Sequence, residues 1–285
     1  MVNLTSFTLS HTPPGAVLVG QLLDFFESTP YLKEVKLCSA TPTTGVQNRR
    51  LVSLACLKSM YIDGGGPPSV LLDHLLIPVG AKLEIEADLL SSLIGEHLPR
   101  SLDNLKNFSN FTTIKLHLGR SSPRMKFSGP NVQVNITLRT SGDELALGSL
   151  GEFDTSKTEW LEIDGGDLLT GDPLYQALLP MKDLRTLTFS GQRMDPRIFI
   201  RALQPTTGSS EAMVCPKLEK LVLEFNFLGG MRCITSVTEM AAARASRGEK
   251  LRTIRIIGGH RKANLDMSEL RKHVWNVEYC PGARF

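Results

Sequence analysis

The sequence lacks the cysteine spacing of a metal site or a disulfide framework. Cys38, Cys56, Cys215, Cys233 and Cys280 are scattered, no two stand at CxxC spacing, and no histidine cluster accompanies them. A reducing compartment suits such thiols. No apolar run approaches the roughly 18–20 residues that a membrane span requires. The first residues lack a basic stretch leading into an apolar run and a small-residue cleavage site. These absences point to a soluble, intracellular chain, cytoplasmic or nuclear, with no membrane partner. Asn-x-Ser/Thr triplets begin at Asn3, Asn107, Asn110 and Asn135, but they carry meaning only in a secreted chain.

Catalytic signatures are missing too. There is no GxSxG, HExxH, SxxK, P-loop or kinase pattern, and His11, His74, His97, His117, His260 and His273 stand apart from one another. No catalytic residue, cofactor or metal is therefore expected. The acidic set Glu162, Asp164, Asp167 and Asp172 lacks the Asp-x-Asp-x-Asp-Gly spacing of a calcium loop and reads as a solvated face.

What is present is ordinary globular material, 41% hydrophobic and 21% charged, enough for a continuous core. The net charge of +3 hides an asymmetry. Residues 231–285 hold eleven Lys/Arg against five Asp/Glu, leaving that end at +6 and the first 230 residues at −3. The densest basic group is Lys250, Arg252, Arg255, His260, Arg261 and Lys262. No aromatic residues are interleaved there for base stacking, so solvent or a partner's acidic patch accounts for it better than nucleic acid does.

The strongest pattern is internal. The phrase L-x-x-L-x-L, with any apolar residue at the L positions, occurs as LTSFTL at 4, LKEVKL at 32, LKSMYI at 57, FTTIKL at 111, LRTLTF at 184, LEKLVL at 218 and LRTIRI at 251. Weaker copies are GAKLEI at 80, QVNITL at 133, TEWLEI at 158 and VWNVEY at 274, giving eleven starts with a mean period of 27 residues. That period lies within the range of leucine-rich repeats. Each unit buries one apolar face only against its neighbours, so the expected fold is α/β, a leucine-rich-repeat-like solenoid of about eleven irregular repeats forming one domain over residues 1–285. Its curved parallel sheet would line the concave side, with helices and loops on the convex side. Helical spacing marks the return segments at 17–27, 87–98 and 237–247, and Asp195-Pro196 and Asp266-x-x-Glu269 read as helix starts. Residues 60–78 and 161–180 are alike, each reading as strand, Asp-Gly-Gly turn and helix. Neither has phosphate-loop spacing, so the glycines read as a tight turn.

LTSFTLSH, TPYLKEVKL (29–37) and CPKLEKLVLEF (215–225) resemble the divergent leucine-rich region of F-box proteins, especially the large set in mushroom-forming (basidiomycete) fungi. The resemblance implies the substrate-recognition region of a cullin-based ubiquitin-ligase receptor, with a protein target on the concave face. A ligase adaptor would join only through an upstream F-box, for which residues ahead of Leu4 leave no room. The chain departs from the usual repeat at the Asn three residues beyond the last L. That position is Asn only at Asn226 and Gly at 65, 119, 166, 259 and 282, so irregular turns are expected. A free-standing scaffold or a fragment of a repeat-containing receptor is the alternative function; an enzyme with a site assembled on the solenoid is a third.

In the strand phrase the last two apolar residues face one way and the residues between them the other. Outward positions then include Glu34, Lys36, Tyr61, Asp63, Lys82, Glu84, Lys115, His117, Arg139, Trp160, Glu162, Asp164, Lys220, Glu224 and Arg255. The candidate partner-binding residues among them are Tyr61, Asp63, Lys82, Glu84, Trp160, Glu162, Asp164 and Arg255, with Trp160 and Tyr61 foremost because large aromatics carry much interface energy. A neighbouring loop packed on Trp160 is the competing reading.

Overall fold

The computed structural model describes residues 3–13, 17–39, 50–63, 68–88, 98–99, 102, 105, 108, 110–119, 122–139, 143–165, 171–191, 196–204, 213–225, 227–258 and 266–280. In chain order these form β1 (Ser6–Ser10), α1 (Val19–Ser28), β2 (Glu34–Cys38), β3 (Val52–Ser53), β4 (Ser59–Asp63), α2 (Ser69–Leu72), β5 (Leu75–Leu76), β6 (Lys82–Asp88) and β7 (Thr113–Leu118). There follow β8 (Arg124–Gly129), β9 (Val132–Arg139), α3 (Asp143–Gly148), β10 (Trp160–Gly165), α4 (Gly171–Leu178), β11 (Thr186–Gly191), α5 (Pro196–Leu203), β12 (Lys220–Phe225), α6 (Phe227–Ser246), β13 (Thr253–Ile257), α7 (Ser268–His273) and β14 (Asn276–Cys280). The chain packs as two compact units, Met1–Thr112 with Arg120–Asp154, and Thr113–Gly119 with Thr155–Phe285.

The first unit holds the strand order β1-β2-β4-β6-β9-β8, parallel except where β8 and β9 run antiparallel. Two apolar rows cross its inner face: Phe7, Val35, Met60, Leu83, Val134 and Phe127, then Leu9, Leu37, Ile62, Ile85, Ile136 and Met125. From β2 to β8 every member is buried, and each such side chain contributes roughly 1.5–3 kcal/mol. Helix α1 buries Val19, Leu22, Leu23 and Phe26, the i, i+3, i+4, i+7 stripe of an amphipathic helix. Phe26 meets Phe7 of β1 with ring centroids 6.3 Å apart.

The second unit runs β7-β10-β11-β12-β13-β14, all parallel and, after β7, in chain order. Its inner rows are Ile114, Leu161, Leu187, Leu221, Ile254 and Val277, then Leu116, Ile163, Phe189, Leu223, Ile256 and Tyr279. Helices α4, α5, α6 and α7 return between the strands and pack in series. Phe189 of β11 lies against Phe199 of α5 with centroids 4.0 Å apart.

The strand phrase owes its regularity to two backbone devices. A turn closes ahead of five of the strands, with N–H to C=O bonds from Leu32 to Thr29, Leu57 to Leu54, Thr158 to Thr155, Leu184 to Met181 and Leu218 to Cys215. In TPYL and CPKL, Pro30 and Pro216 occupy the second turn position, where a fixed φ near −65° fits. One carbonyl then accepts two successive N–H groups of the next strand's lead. Thr5 serves Lys33 and Glu34, Lys33 serves Lys58 and Ser59, Glu159 serves Arg185 and Thr186, Arg185 serves Glu219 and Lys220, and Glu219 serves Arg252 and Thr253.

The expected α/β class with mostly parallel strands holds within each unit. The simple succession of strands between 80 and 158 does not. The strand beside β6 is β9, not the copy at 111, which forms β7 and pairs with β10. The copy at 133 also sits two residues out of step, because Val134 and Ile136 rather than Ile136 and Leu138 align with Leu83 and Ile85. Strand β8 was not anticipated at all. It arises because R-M-K-F alternates and Pro130-Asn131 turns the chain straight back into β9. The helix expected at 87–98 begins on Ala87 and Asp88, which end strand β6; its residues 89–97 lie outside the described ones. Asp195 and the Asn or Gly positions 65, 166, 226, 259 and 282 also lie outside.

Gly165 shows why its turn needs glycine. Its φ of +87° suits no Cβ, and a Cβ there would stand 1.9 Å from the Leu118 carbonyl oxygen. Arg244 on α6 is the other unusual structural residue, with no exposed surface. Its guanidinium donates to the Val214 carbonyl at 3.0 Å and the Cys215 carbonyl at 2.8 Å, and it pairs with Glu249 at 3.4 Å. Burial lowers its pKa and pushes the Cys215 thiol up to about 12. Arg244→Ala should cost the second unit about 3–5 kcal/mol, from two stranded acceptors plus a cavity. Urea unfolding followed by circular dichroism measures this; a loss under about 1 kcal/mol, the net value of a single ordinary hydrogen bond, would show that the clamp is dispensable.

Candidate functional site

Both sheets carry polar residues on the face opposite their apolar rows, and pairing sets these residues side by side. In the first unit one outward row reads Thr8, Lys36, Tyr61, Glu84, Asn135 and Lys126, and the next Ser10, Cys38, Asp63, Glu86, Thr137 and Arg124. The outward assignment of Tyr61, Asp63, Lys82 and Glu84 agrees with their partial exposure beside buried Met60, Ile62, Leu83 and Ile85.

These four come together with residues that sequence reading passed over. The Tyr61 hydroxyl donates to Glu86 at 3.0 Å, and Arg139 reaches both Glu86 at 2.7 Å and Asp63 at 3.1 Å. Lys82 pairs with Glu84 at 2.6 Å, and the Asn135 amide donates to the same carboxylate at 3.2 Å. Lys82 beside it, more than Asn135, holds the Glu84 carboxyl below the usual range. Burial, reinforced by Glu86, raises the Tyr61 phenol well above its ordinary value. Tyr61, Glu84, Glu86, Arg124, Lys126, Asn135, Thr137 and Arg139 line an open groove of about 610 Å³. Glu86, Asn135 and Thr137 follow from strand register, and Arg124 and Lys126 follow from the missed hairpin, whose signal was the alternation on either side of Gly129-Pro130-Asn131.

In the second unit Trp160 is 43% exposed, with the Lys115 ammonium 5.5 Å from its ring centre, so its outward orientation stands. Lys115 also pairs with Glu162 at 2.6 Å. His117 Nδ1 lies 2.7 Å from Asp164, whose other oxygen accepts from the Ser190 hydroxyl at 2.9 Å. Trp160 and Glu162 thus share Lys115, and Asp164 belongs to a neighbouring group with His117 and Ser190. Arg255 stands apart from it, 3.8 Å from Glu278 on β14.

No family model matches this chain. No curated protein and no solved structure matches it either. Chemistry must therefore be judged from the side chains. Asp164 and Glu162 of the acidic set are taken up by His117, Ser190 and Lys115, while Asp167 lies outside the described residues. Among the described residues no three His, Cys, Asp or Glu side chains gather to hold a metal, and no helix is long and apolar enough to cross a membrane.

Of the basic group, Lys250 sits 4.7 Å over the ring of Trp275, which is 76% exposed, and Arg252 pairs with Glu219 at 3.4 Å. His260, Arg261 and Lys262 lie outside the described residues. A smaller hollow of about 270 Å³ beside Lys250 is lined by Arg185, Lys217 and Glu219. Lys217 is held by Asp183 at 2.6 Å and Arg185 by Glu219 at 3.2 Å, so its charge is mostly compensated from within.

The Tyr61–Glu86 contact has a spectroscopic signature. Glu86→Gln should move one phenol's ionisation to lower pH in a 295 nm titration, because the carboxylate no longer opposes tyrosinate. Adding Tyr61→Phe should abolish the moved step; a titration unchanged by Glu86→Gln would show that the contact does not persist in solution.

Proposed function

We propose that this chain is a protein-binding, leucine-rich-repeat-like module, a solenoid of about eleven irregular repeats whose outward strand face receives a protein target. In this reading it is the substrate-recognition region of an F-box-type ubiquitin-ligase receptor, at work in the cytoplasm or nucleus. The observation that carries the proposal is the continuity of the polar rows. Within each unit, side chains from strands far apart in sequence stand in register and mix charge with an aromatic, part-exposed Tyr61 in the first and exposed Trp160 in the second. Such a surface recognises by shape and charge along its length, the use that repeat arrays make of their sheets. Tyr61 and Trp160 supply the large aromatics that such interfaces concentrate, and Arg139 and Lys115 fix the carboxylates around them.

A two-arm affinity capture with mass spectrometry tests this. The 285-residue chain and a version extended by its upstream coding sequence are compared with Tyr61→Ala/Trp160→Ala counterparts. A specific protein captured by both versions and lost from the double variant is the expected result, with ligase adaptor and cullin joining only the extended version. The same protein captured without any ligase component would leave a scaffold. No protein distinguishing the wild type from the double variant would overturn the binding reading itself.

A further inference from the structure

Resting on the protein-binding reading, we infer that the groove of the first unit is the docking site for an extended acidic peptide segment carrying carboxylates at alternate positions. The carboxylates on the groove side are already answered from within the fold. Glu84 is held by Lys82 and Asn135, Glu86 by Tyr61 and Arg139, and Asp63 by Arg139. Arg124 and Lys126 are not. Both are exposed, both project from β8 on the side opposite buried Met125 and Phe127, and among the described residues neither has a carboxylate partner. The surface therefore offers two uncommitted cations in a line.

Their spacing selects the ligand's geometry. Two residues along a strand is about 6.6–6.8 Å, the distance between alternate side chains of any extended chain. A segment with Asp or Glu at i and i+2, lying along β8, puts one carboxylate at each cation. Arg124 can take its carboxylate with two parallel N–H bonds, a geometry that Lys126 cannot offer. The groove crosses β4, β6, β9 and β8 and is open to solvent along β8.

The same groove discriminates against polyanions. A nucleic acid or polyphosphate following the two cations would bring phosphates toward Glu84 and Glu86, and Tyr61 is the sole aromatic among the lining residues. An extended peptide lying along β8 turns its intervening side chains away from the surface, so only its alternate carboxylates approach the two cations.

The test is fluorescence anisotropy with a labelled Glu-Thr-Glu-Thr-Glu peptide, capped at both ends, against the full chain. The expected result is saturable binding that a Gln-for-Glu peptide fails to compete and that weakens several-fold as salt rises from about 50 to 500 mM, where the Debye length shrinks from roughly 14 to 4 Å. Arg124→Glu/Lys126→Glu should lower affinity at least about tenfold with an unchanged circular dichroism spectrum, and should gain binding to the Lys-Thr-Lys-Thr-Lys peptide. Arg124→Gln/Lys126→Gln gives the same loss without charge reversal should the first pair perturb folding. Equal binding of the Glu and Gln peptides, binding unaffected by the substitutions, or tighter binding of oligonucleotide or polyphosphate than of the peptide would each overturn the inference. A captured protein target that still binds the Arg124→Glu/Lys126→Glu chain leaves the general binding reading standing while removing this site.

Discussion

Much of the structure depends on a shared acceptor: one backbone carbonyl, at the position before β1, β2, β10, β11 and β12, takes two consecutive N–H groups from the lead of the neighbouring strand. Such a bond needs no particular side chain, so the residues bearing it range from Thr5 to Glu159 and Arg185. It fixes where the next strand begins, and a slip of one residue would turn every apolar side chain to the wrong face. The inner rows follow from that register, and so do the outward ones. Most of the residues that line the groove of the first unit, and those around Trp160 in the second, are set side by side by strand alignment.

Much of this was readable from the residues. Strands with the phrase L-x-x-L-x-L are legible because their apolar positions alternate, and ten of the eleven starts coincide with strands whose paired rows fall at the same positions of the phrase; the copy at 133 is two residues out of step. All eight candidate residues face outward for the same reason. Parity along a strand is a local property, so it survives even where the order of strands is misjudged.

What the residues could not reveal is which strand lies beside which. A parallel neighbour is chosen by packing after a long excursion, and nothing in FTTIKL says that it pairs with TEWLEI rather than GAKLEI. The β8–β9 hairpin was legible in principle from its alternation, but β8 carries no leucine phrase and the copy within β9 is out of step with the sheet. Arg139 shows the limit from another side. Its outward placement was expected, yet its reach to carboxylates of both β4 and β6 depends on side-chain length and neighbouring register. Likewise, Arg244 reads as one more basic residue on a helix until its burial against the Val214 and Cys215 carbonyls is seen.

The hairpin has a further consequence, in the order of chain organisation. Ser6 must find Glu34, and Lys82 must find Gln133, across excursions of many residues, whereas Gly129 meets Val132 through a two-residue connection. The entropy lost on closing a loop grows with its length, and hairpins close in roughly 1–10 μs. Loop closure thus favours β8 and β9 as the part of the first sheet that assembles before the rest, offering a preformed edge for β6. The strand outside the repeat, β8, is placed to hold β9, the strand against which β6 then aligns.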